Sequence, residues 1–118
     1  MKLITAIVRP EKLDELILAL IDHGVQGLTV TDVRGFGQQY GRLAGAATRV
    51  SGRPGEHMAV LLAKVRLDLV VLDDDAEAIV DIIAKHARTE TIGDGKIWVT
   101  PVDSALRVRT GEQDHAAV

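Results

Sequence analysis

The chain has 118 residues, of which 47% are hydrophobic and 3% aromatic, so one compact domain with an aliphatic core is expected. Its net charge of −3 argues against a dedicated nucleic-acid binder, and the absence of cysteine excludes disulfides and thiolate chemistry. A strand-like pattern begins at Lys2 and no long apolar run follows, so we predict a cytoplasmic protein without a signal peptide or membrane span.

The first third of the chain predicts a strand, a helix and a second strand. Residues 2–8 are apolar and rich in β-branched side chains, which is typical of a strand. Pro10 suits the first turn of a helix, and apolar residues then recur at helical spacing as far as His23. Gly24 suits the left-handed position after a helix end, and alternating polarity predicts a second strand over 27–33.

No hydrophobic period continues through residues 38–58. Gly, Ala, Ser, Arg and Pro dominate this stretch, and loops of such length are uncommon in compact domains and usually functional. We therefore predict one long flexible loop at 38–58. The alternative is that residues 43–50 form a short helix.

Residues 59–72 form the clearest predicted strand, with apolar side chains at the odd positions for the core. The even positions carry Lys64, Arg66 and Asp68 in the middle, a mixture that fits burial against other subunits or a ligand better than free exposure. Aspartates at 73–75 predict a helix start, where carboxylates cap free N–H groups and complement the helix dipole. Three consecutive acids are also compatible with a metal site.

The remaining pattern predicts a helix after these aspartates, a loop over 88–95, a strand over 96–102 and a charged C-terminal tail at 107–118. The whole order is βαββαβ, with the long loop between strands 2 and 3. We predict a single α+β domain over 1–118 with a ferredoxin-like fold: an antiparallel four-stranded sheet with two helices on one face. Such a fold does not by itself identify a function.

A glycine-rich segment at 89–96 is a candidate anion site. Gly93 and Gly95 flank Asp94, an arrangement that lets backbone N–H groups face an anion, and Lys96 adds a positive charge. An ordinary Asp-Gly turn that leads into the last strand would explain the same residues.

Two further segments have features of ligand binding. Arg107 and Arg109 alternate, so on an extended chain both guanidinium groups would point the same way and could clamp phosphate, although a solvated tail explains them equally. The glycines of 35–41 allow close backbone approach to a ligand.

Taken together, these segments resemble the PII nitrogen and carbon regulatory proteins, a family of signal-transduction proteins. The resemblance covers nearly the whole chain apart from the long loop. It is carried by Ile7-Val8-Arg9-Pro10, Val25-Gln26-Gly27-Leu28-Thr29-Val30-Thr31, Gly35-Phe36-Gly37, Ile92-Gly93-Asp94-Gly95-Lys96-Ile97 and Arg107-Val108-Arg109-Thr110-Gly111-Glu112.

The resemblance implies a homotrimer that binds ATP or ADP in the clefts between subunits. Residues 93–96 would hold phosphates, with Arg107 and Arg109 from an adjoining subunit. The adenine and ribose end would be lined by Thr29, Asp68, Val70 and Thr89. The nucleotide-binding residues that it implies are Ile7, Gly27, Leu28, Thr29, Gly35, Gly37, Gln38, Gln39, Asp68, Val70, Thr89, Gly93, Asp94, Gly95, Lys96, Arg107 and Arg109.

The resemblance also implies an effector and a partner. A Gln like Gln39 would reach Mg²⁺ on ATP and thereby help to hold 2-oxoglutarate, and a Lys like Lys64 would pair with that ligand's carboxylate. The long loop corresponds to the T-loop, through which the family contacts membrane transporters or metabolic enzymes of nitrogen and carbon metabolism. These implications describe a regulator, not an enzyme, with no nucleic-acid partner.

Three positions depart from the family pattern. Usual members have Arg where Gln38 stands and Gly-Lys where Glu90 and Thr91 stand, so this chain has less positive charge near the phosphates. We therefore predict that ADP or AMP matters as much as ATP.

The long loop departs as well, because the T-loop tyrosine is absent and Tyr40 lies outside that setting. We therefore predict no nucleotidylylation at the usual place. The altered loop leaves open an alternative: a PII-like carbon sensor that responds to ADP, AMP and bicarbonate and is linked to bicarbonate uptake or carboxysomes.

Overall fold

The computed structural model describes residues 1–37, 47–49 and 60–118, which form five strands and two α-helices. The predicted loop at 38–58 therefore lies mostly outside the described residues. In chain order the elements are β1 (Lys2–Val8), α1 (Leu13–His23), β2 (Thr29–Gly35), β3 (Ala47–Arg49), β4 (Val60–Val71), α2 (Asp73–Ala87) and β5 (Lys96–Pro101).

The strands pair antiparallel in the order β2-β4-β1-β5, which confirms the predicted ferredoxin-like arrangement. The short β3 is an addition to the predicted four strands, and it pairs with residues 60–62 of β4. The alternative of a helix over 43–50 is wrong at 47–49. Pairing between β1 and β4 ends at Val65, so the start of β4 has backbone groups left for β3.

Both helices pack on one face of the sheet. The register places Ile4 opposite Leu69 and Val8 opposite Val65, and these side chains are buried together with Leu16 of α1. Alternation along each strand directs these residues to the same side, as predicted for the odd positions of β4 from 65 to 71. Nearer the start of β4 the prediction is wrong, because Leu62, at an even position, is buried and Leu61 and Ala63 are only partly buried. The buried core comprises Ile4, Ala6, Val8, Leu16, Leu20, Val65, Leu67, Leu69, Val71, Ile79, Ile83 and Ala87.

The first helix begins later than predicted. Pro10 opens a short 3₁₀ turn (Pro10–Lys12), and α1 begins at Leu13. Gly24 ends the helix with a φ of 108°, and its N–H donates to the carbonyl of Ile21 at 2.9 Å, as predicted. The second strand also begins two residues later than predicted, at Thr29.

The second helix begins at the predicted aspartates, but the capping differs from the expectation. Leu72 occupies the N-cap position, and its apolar side chain cannot accept a hydrogen bond from the free N–H groups of the first turn. Asp73 pairs instead with the N-terminal ammonium group of Met1 at 2.8 Å. The acidic first turn still complements the positive end of the helix dipole.

The sheet face opposite the helices bears both polar and apolar side chains. The hydroxyl of Thr5, 1% exposed, donates to Asp68 at 2.8 Å. Val70 and Trp98 are 38% and 39% exposed. Within the described ranges, no helix is long and apolar enough to cross a membrane.

Candidate anion-binding site

The glycine loop, residues 89–95, lies against the end of β1. Gly93 and Gly95 have φ angles of 106° and 103°, a left-handed region that favours glycine. A Cβ atom placed on Gly95 would lie 1.7 Å from the carbonyl oxygen of Ile7. Glycine is therefore required at 95 both by the backbone angle and by the close approach of β1.

The carboxylate of Asp94 organises the interior of this loop. It accepts hydrogen bonds from the backbone N–H groups of Thr89 at 2.7 Å and Glu90 at 2.8 Å, and from the Thr89 hydroxyl. Partial burial raises the pKa of Asp94, but the bonds from Thr89, Arg9 and Glu90 outweigh it and hold the pKa well below its usual range. The side chain is thus charged and engaged within the loop, so a contact of Asp94 with phosphate would come from its main chain.

Two cations fasten the glycine loop to the sheet. Arg9 donates through Nε to Asp94 at 3.1 Å, and through Nη2 to the Thr91 hydroxyl at 2.9 Å and the Ile92 carbonyl at 2.8 Å. Lys64 Nζ donates to the carbonyl of Gly93 at 2.7 Å. The predicted effector residue Lys64 therefore holds the loop in this structure.

Arg9 was not among the predicted site residues. The signal that could have found it is the predicted topology. Arg9 directly follows β1, the glycine loop directly precedes β5, and these antiparallel neighbours meet at that end, with Ile7 opposite Lys96.

A cleft of about 560 Å³, the loop cleft, lies between the glycine loop, the end of β2 and the middle of β4. It brings together eight of the predicted site residues, while Gln38 and Gln39 lie outside the described residues. The eight are Ile7, Gly35, Gly37, Lys64, Gly93, Asp94, Gly95 and Lys96, and Phe36, Thr91 and Ile92 complete the lining.

Five other predicted residues lie in a second cleft of about 410 Å³, the sheet cleft. Asp68 there accepts hydrogen bonds from Arg66 Nε at 2.9 Å and Thr5 at 2.8 Å, and the bond from Arg66 is the main cause that lowers the pKa of Asp68. Thr89, predicted at the adenosine end, donates to Asp94 and does not line the sheet cleft. The five residues are Gly27, Leu28, Thr29, Asp68 and Val70.

The arginine segment does not have the predicted extended shape. Residues 108–110 form a turn, closed by hydrogen bonds of 2.8 Å from Gly111 N–H to Arg107 O and from Arg107 N–H to Glu112 O. Arg107 lines a third cleft and donates to the Ala117 carbonyl and to a main-chain carboxylate oxygen of Val118, each at 3.4 Å, while Arg109 is exposed. Within the described part of one chain, neither arginine lines the loop cleft.

Glu90 has a φ of 65°, a left-handed conformation that costs about 1–2 kcal/mol for a residue with a Cβ. We expect Glu90→Gly to raise the free energy of unfolding by roughly 0.5–1 kcal/mol, because the relief of strain exceeds the flexibility cost of glycine. Urea denaturation measures the change. Glu90→Ala is the control, since it removes the same carboxylate but keeps the strain; equal stability of the two variants would contradict the explanation.

Comparison with known proteins identifies the family of this fold and loop. A family model described as nitrogen regulatory protein P-II matches residues 1–112. The chain is 44% identical to the nitrogen regulatory protein P-II of Synechocystis sp. and 43% identical to the nitrogen regulatory protein GlnK of Escherichia coli K12, in each case over the full length of both chains. The P-II protein of Nostoc punctiforme is likewise 44% identical over the full length. These relatives are named as regulators, and the chain belongs to the nitrogen regulatory protein P-II family.

Proposed function

We propose that this chain is a P-II regulator that binds ATP or ADP between the subunits of a homotrimer. Its T-loop, residues 38–58, would then contact a transporter or enzyme of nitrogen or carbon metabolism. The observation that carries the proposal is the loop cleft, where glycine-rich backbone and two lysines face one space.

The chemistry of the loop cleft suits a phosphate-bearing ligand. Lys64 and Lys96 supply positive charge, and the left-handed glycines allow close backbone approach. Partial burial is the main cause that lowers the pKa of Lys64, and the nearby positive charge of Arg9 is the second. An anionic ligand would therefore stabilise the charged form of Lys64. The apolar side chains of Ile7 and Ile92 add surface for a non-ionic part of the ligand.

The division of predicted residues between clefts supports a site shared by subunits. Thr29, Asp68 and Val70 of the predicted adenosine end line the sheet cleft, whereas residues 93–96 line the loop cleft. Arg107 and Arg109 lie elsewhere, so a neighbouring copy that supplies them would complete the site. The exposed side chains Val70 and Trp98 on the open sheet face suit contact with such a copy.

The position of the loop cleft also suits signalling. Gly35 and Gly37 line it directly before residue 38, where the predicted T-loop begins. A ligand in the cleft would touch the foot of that loop and could change its order, which is a common switch in nucleotide sensors. We propose that Mg²⁺ on ATP, through Gln39, and 2-oxoglutarate, through Lys64, act at this point.

A second candidate is the carbon-sensing variant, which would respond to ADP or AMP and bicarbonate. The observation that favours it is the glycine loop itself, where Glu90 and Thr91 supply no positive charge. Thr91 is engaged by Arg9 at 2.9 Å and Thr89 at 2.6 Å within the loop.

Isothermal titration of the purified chain with ATP, ADP and AMP, with and without 2-oxoglutarate and bicarbonate, tests both candidates. We expect ADP to bind within about tenfold of ATP, because less positive charge surrounds the third phosphate. Strengthening of ATP binding by 2-oxoglutarate with Mg²⁺ would support the nitrogen role, and a bicarbonate response would support the alternative. Absence of binding by every nucleotide would refute the proposal, and a strong ATP preference would refute the charge argument.

A further inference from the structure

Arg9 contacts the glycine loop from behind the loop cleft. We propose that Arg9 is a positioning residue that cancels the charge of Asp94 and so allows the loop to bind phosphate. The inference rests on the proposed function, since it concerns how that site tolerates an anionic ligand.

Arg9 contacts the glycine loop outside the loop cleft. Its guanidinium group spans from Asp94 to Thr91 and to the Ile92 carbonyl, and its side chain is 11% exposed. Within the described residues, Arg9 does not line the loop cleft, whereas Asp94 does. An effect of Arg9 on phosphate would therefore act through the loop.

The negative charge of Asp94 would oppose phosphate binding, and Arg9 offsets that charge. The carboxylate stands between the two left-handed glycines of a loop whose cleft is proposed to receive phosphate. A phosphate in that cleft would carry the same sign of charge as the Asp94 carboxylate, and like charges repel more strongly in a partly buried setting than in water. The Arg9 Nε bond of 3.1 Å neutralises the carboxylate and holds it toward the loop interior.

Arg9→Gln tests the proposal, and Lys12→Gln is the matched control. Lys12 lies in the 3₁₀ turn next to Arg9, carries the same charge, and contacts Glu15 at 3.9 Å. We expect Arg9→Gln to leave adenosine affinity within about twofold, to weaken ADP about tenfold and to weaken ATP further, because repulsion grows with ligand charge. Lys12→Gln should change none of the three.

A role confined to general folding would give a different result. It would weaken adenosine and the nucleotides equally in Arg9→Gln, and that outcome would overturn the proposal. Equal losses in Arg9→Gln and Lys12→Gln would also overturn it, because they would reflect net charge alone.

A double variant separates charge cancellation from shape. In an otherwise unchanged chain, Asp94→Asn replaces one carboxylate oxygen by an NH₂ group. That NH₂ group must face either the Arg9 donor or the Thr89 and Glu90 N–H groups, so in both orientations one donor meets another. Arg9→Gln removes that conflict, and the neutral amide repels no phosphate. We expect Arg9→Gln/Asp94→Asn to bind ADP several-fold more tightly than Arg9→Gln alone; simple addition of the two losses would contradict the proposal.

Amide hydrogen exchange in the ligand-free protein tests the positioning role of Arg9 independently of nucleotide binding. The N–H groups of Thr89 and Glu90 report the Asp94 bonds directly. We expect Arg9→Gln, but not Lys12→Gln, to speed their exchange about tenfold. If the wild-type chain bound no nucleotide, the proposed function would fall, and unchanged exchange in Arg9→Gln would refute the positioning role independently.

Discussion

Replacing Gly95 by alanine is expected to lower the free energy of unfolding by about 3 kcal/mol and to abolish nucleotide binding. The added Cβ would overlap the Ile7 carbonyl oxygen at 1.7 Å and carbon at 2.7 Å. Both atoms belong to the backbone of β1, so no side-chain rotation relieves the clash. The loop must move away from the sheet, which displaces Asp94 and its bonds. Chemical denaturation and nucleotide titration of Gly95→Ala measure the two effects.

Gly24→Ala is the matched control for that variant. Gly24 has a φ of 108°, close to the 103° of Gly95, and no described heavy atom lies within 4 Å of a Cβ built there. The control should therefore cost only about 1 kcal/mol, from backbone strain, and leave nucleotide affinity unchanged. Equal destabilisation by the two substitutions would show that contact with β1 does not constrain the loop.

Lys96→Gln is expected to weaken ADP binding about tenfold to a hundredfold without destabilising the fold. Lys96 begins β5, is exposed, and lines the loop cleft beside Gly95. Loss of its ammonium group would remove the charge-assisted bond that we propose it makes to phosphate, while the surrounding backbone keeps its contacts. Isothermal titration gives the affinity, and urea denaturation gives the stability.

Two variants control for charge in this experiment. Lys85→Gln removes the same charge from an exposed position near the end of α2, remote in sequence from the glycine loop, and should leave ADP affinity unchanged. Lys96→Arg keeps the charge and should retain most of the affinity. A loss in Lys85→Gln as large as in Lys96→Gln would mean that overall charge, rather than a local contact, governs binding.

Most of the fold could be predicted from local patterns. Alternation along 59–72 predicted β4 and, from 65 to 71, its buried face, and helical spacing after the aspartates predicted α2. The addition of β3 could not be predicted, because its three residues carry no period and take their shape from the unpaired edge of β4.

The site could be predicted only in part. Glycine spacing predicted a loop with left-handed backbone angles at Gly93 and Gly95, and anion binding there stays a prediction. The engagement of Asp94 and Arg9 depends on a contact across 85 positions, which no local pattern records. The spacing of Arg107 and Arg109 predicts that both guanidinium groups point the same way on an extended chain, but backbone hydrogen bonds fold this segment into a turn.

Phosphate binding at residues 93–96 is the step on which the proposed function depends most. Amide chemical shifts, recorded while ADP is added to the isotopically labelled chain, test it most directly. We expect the N–H signals of Gly93, Gly95 and Lys96 to shift saturably and more than those of α1. Saturable ADP binding that leaves these three signals in place would contradict it.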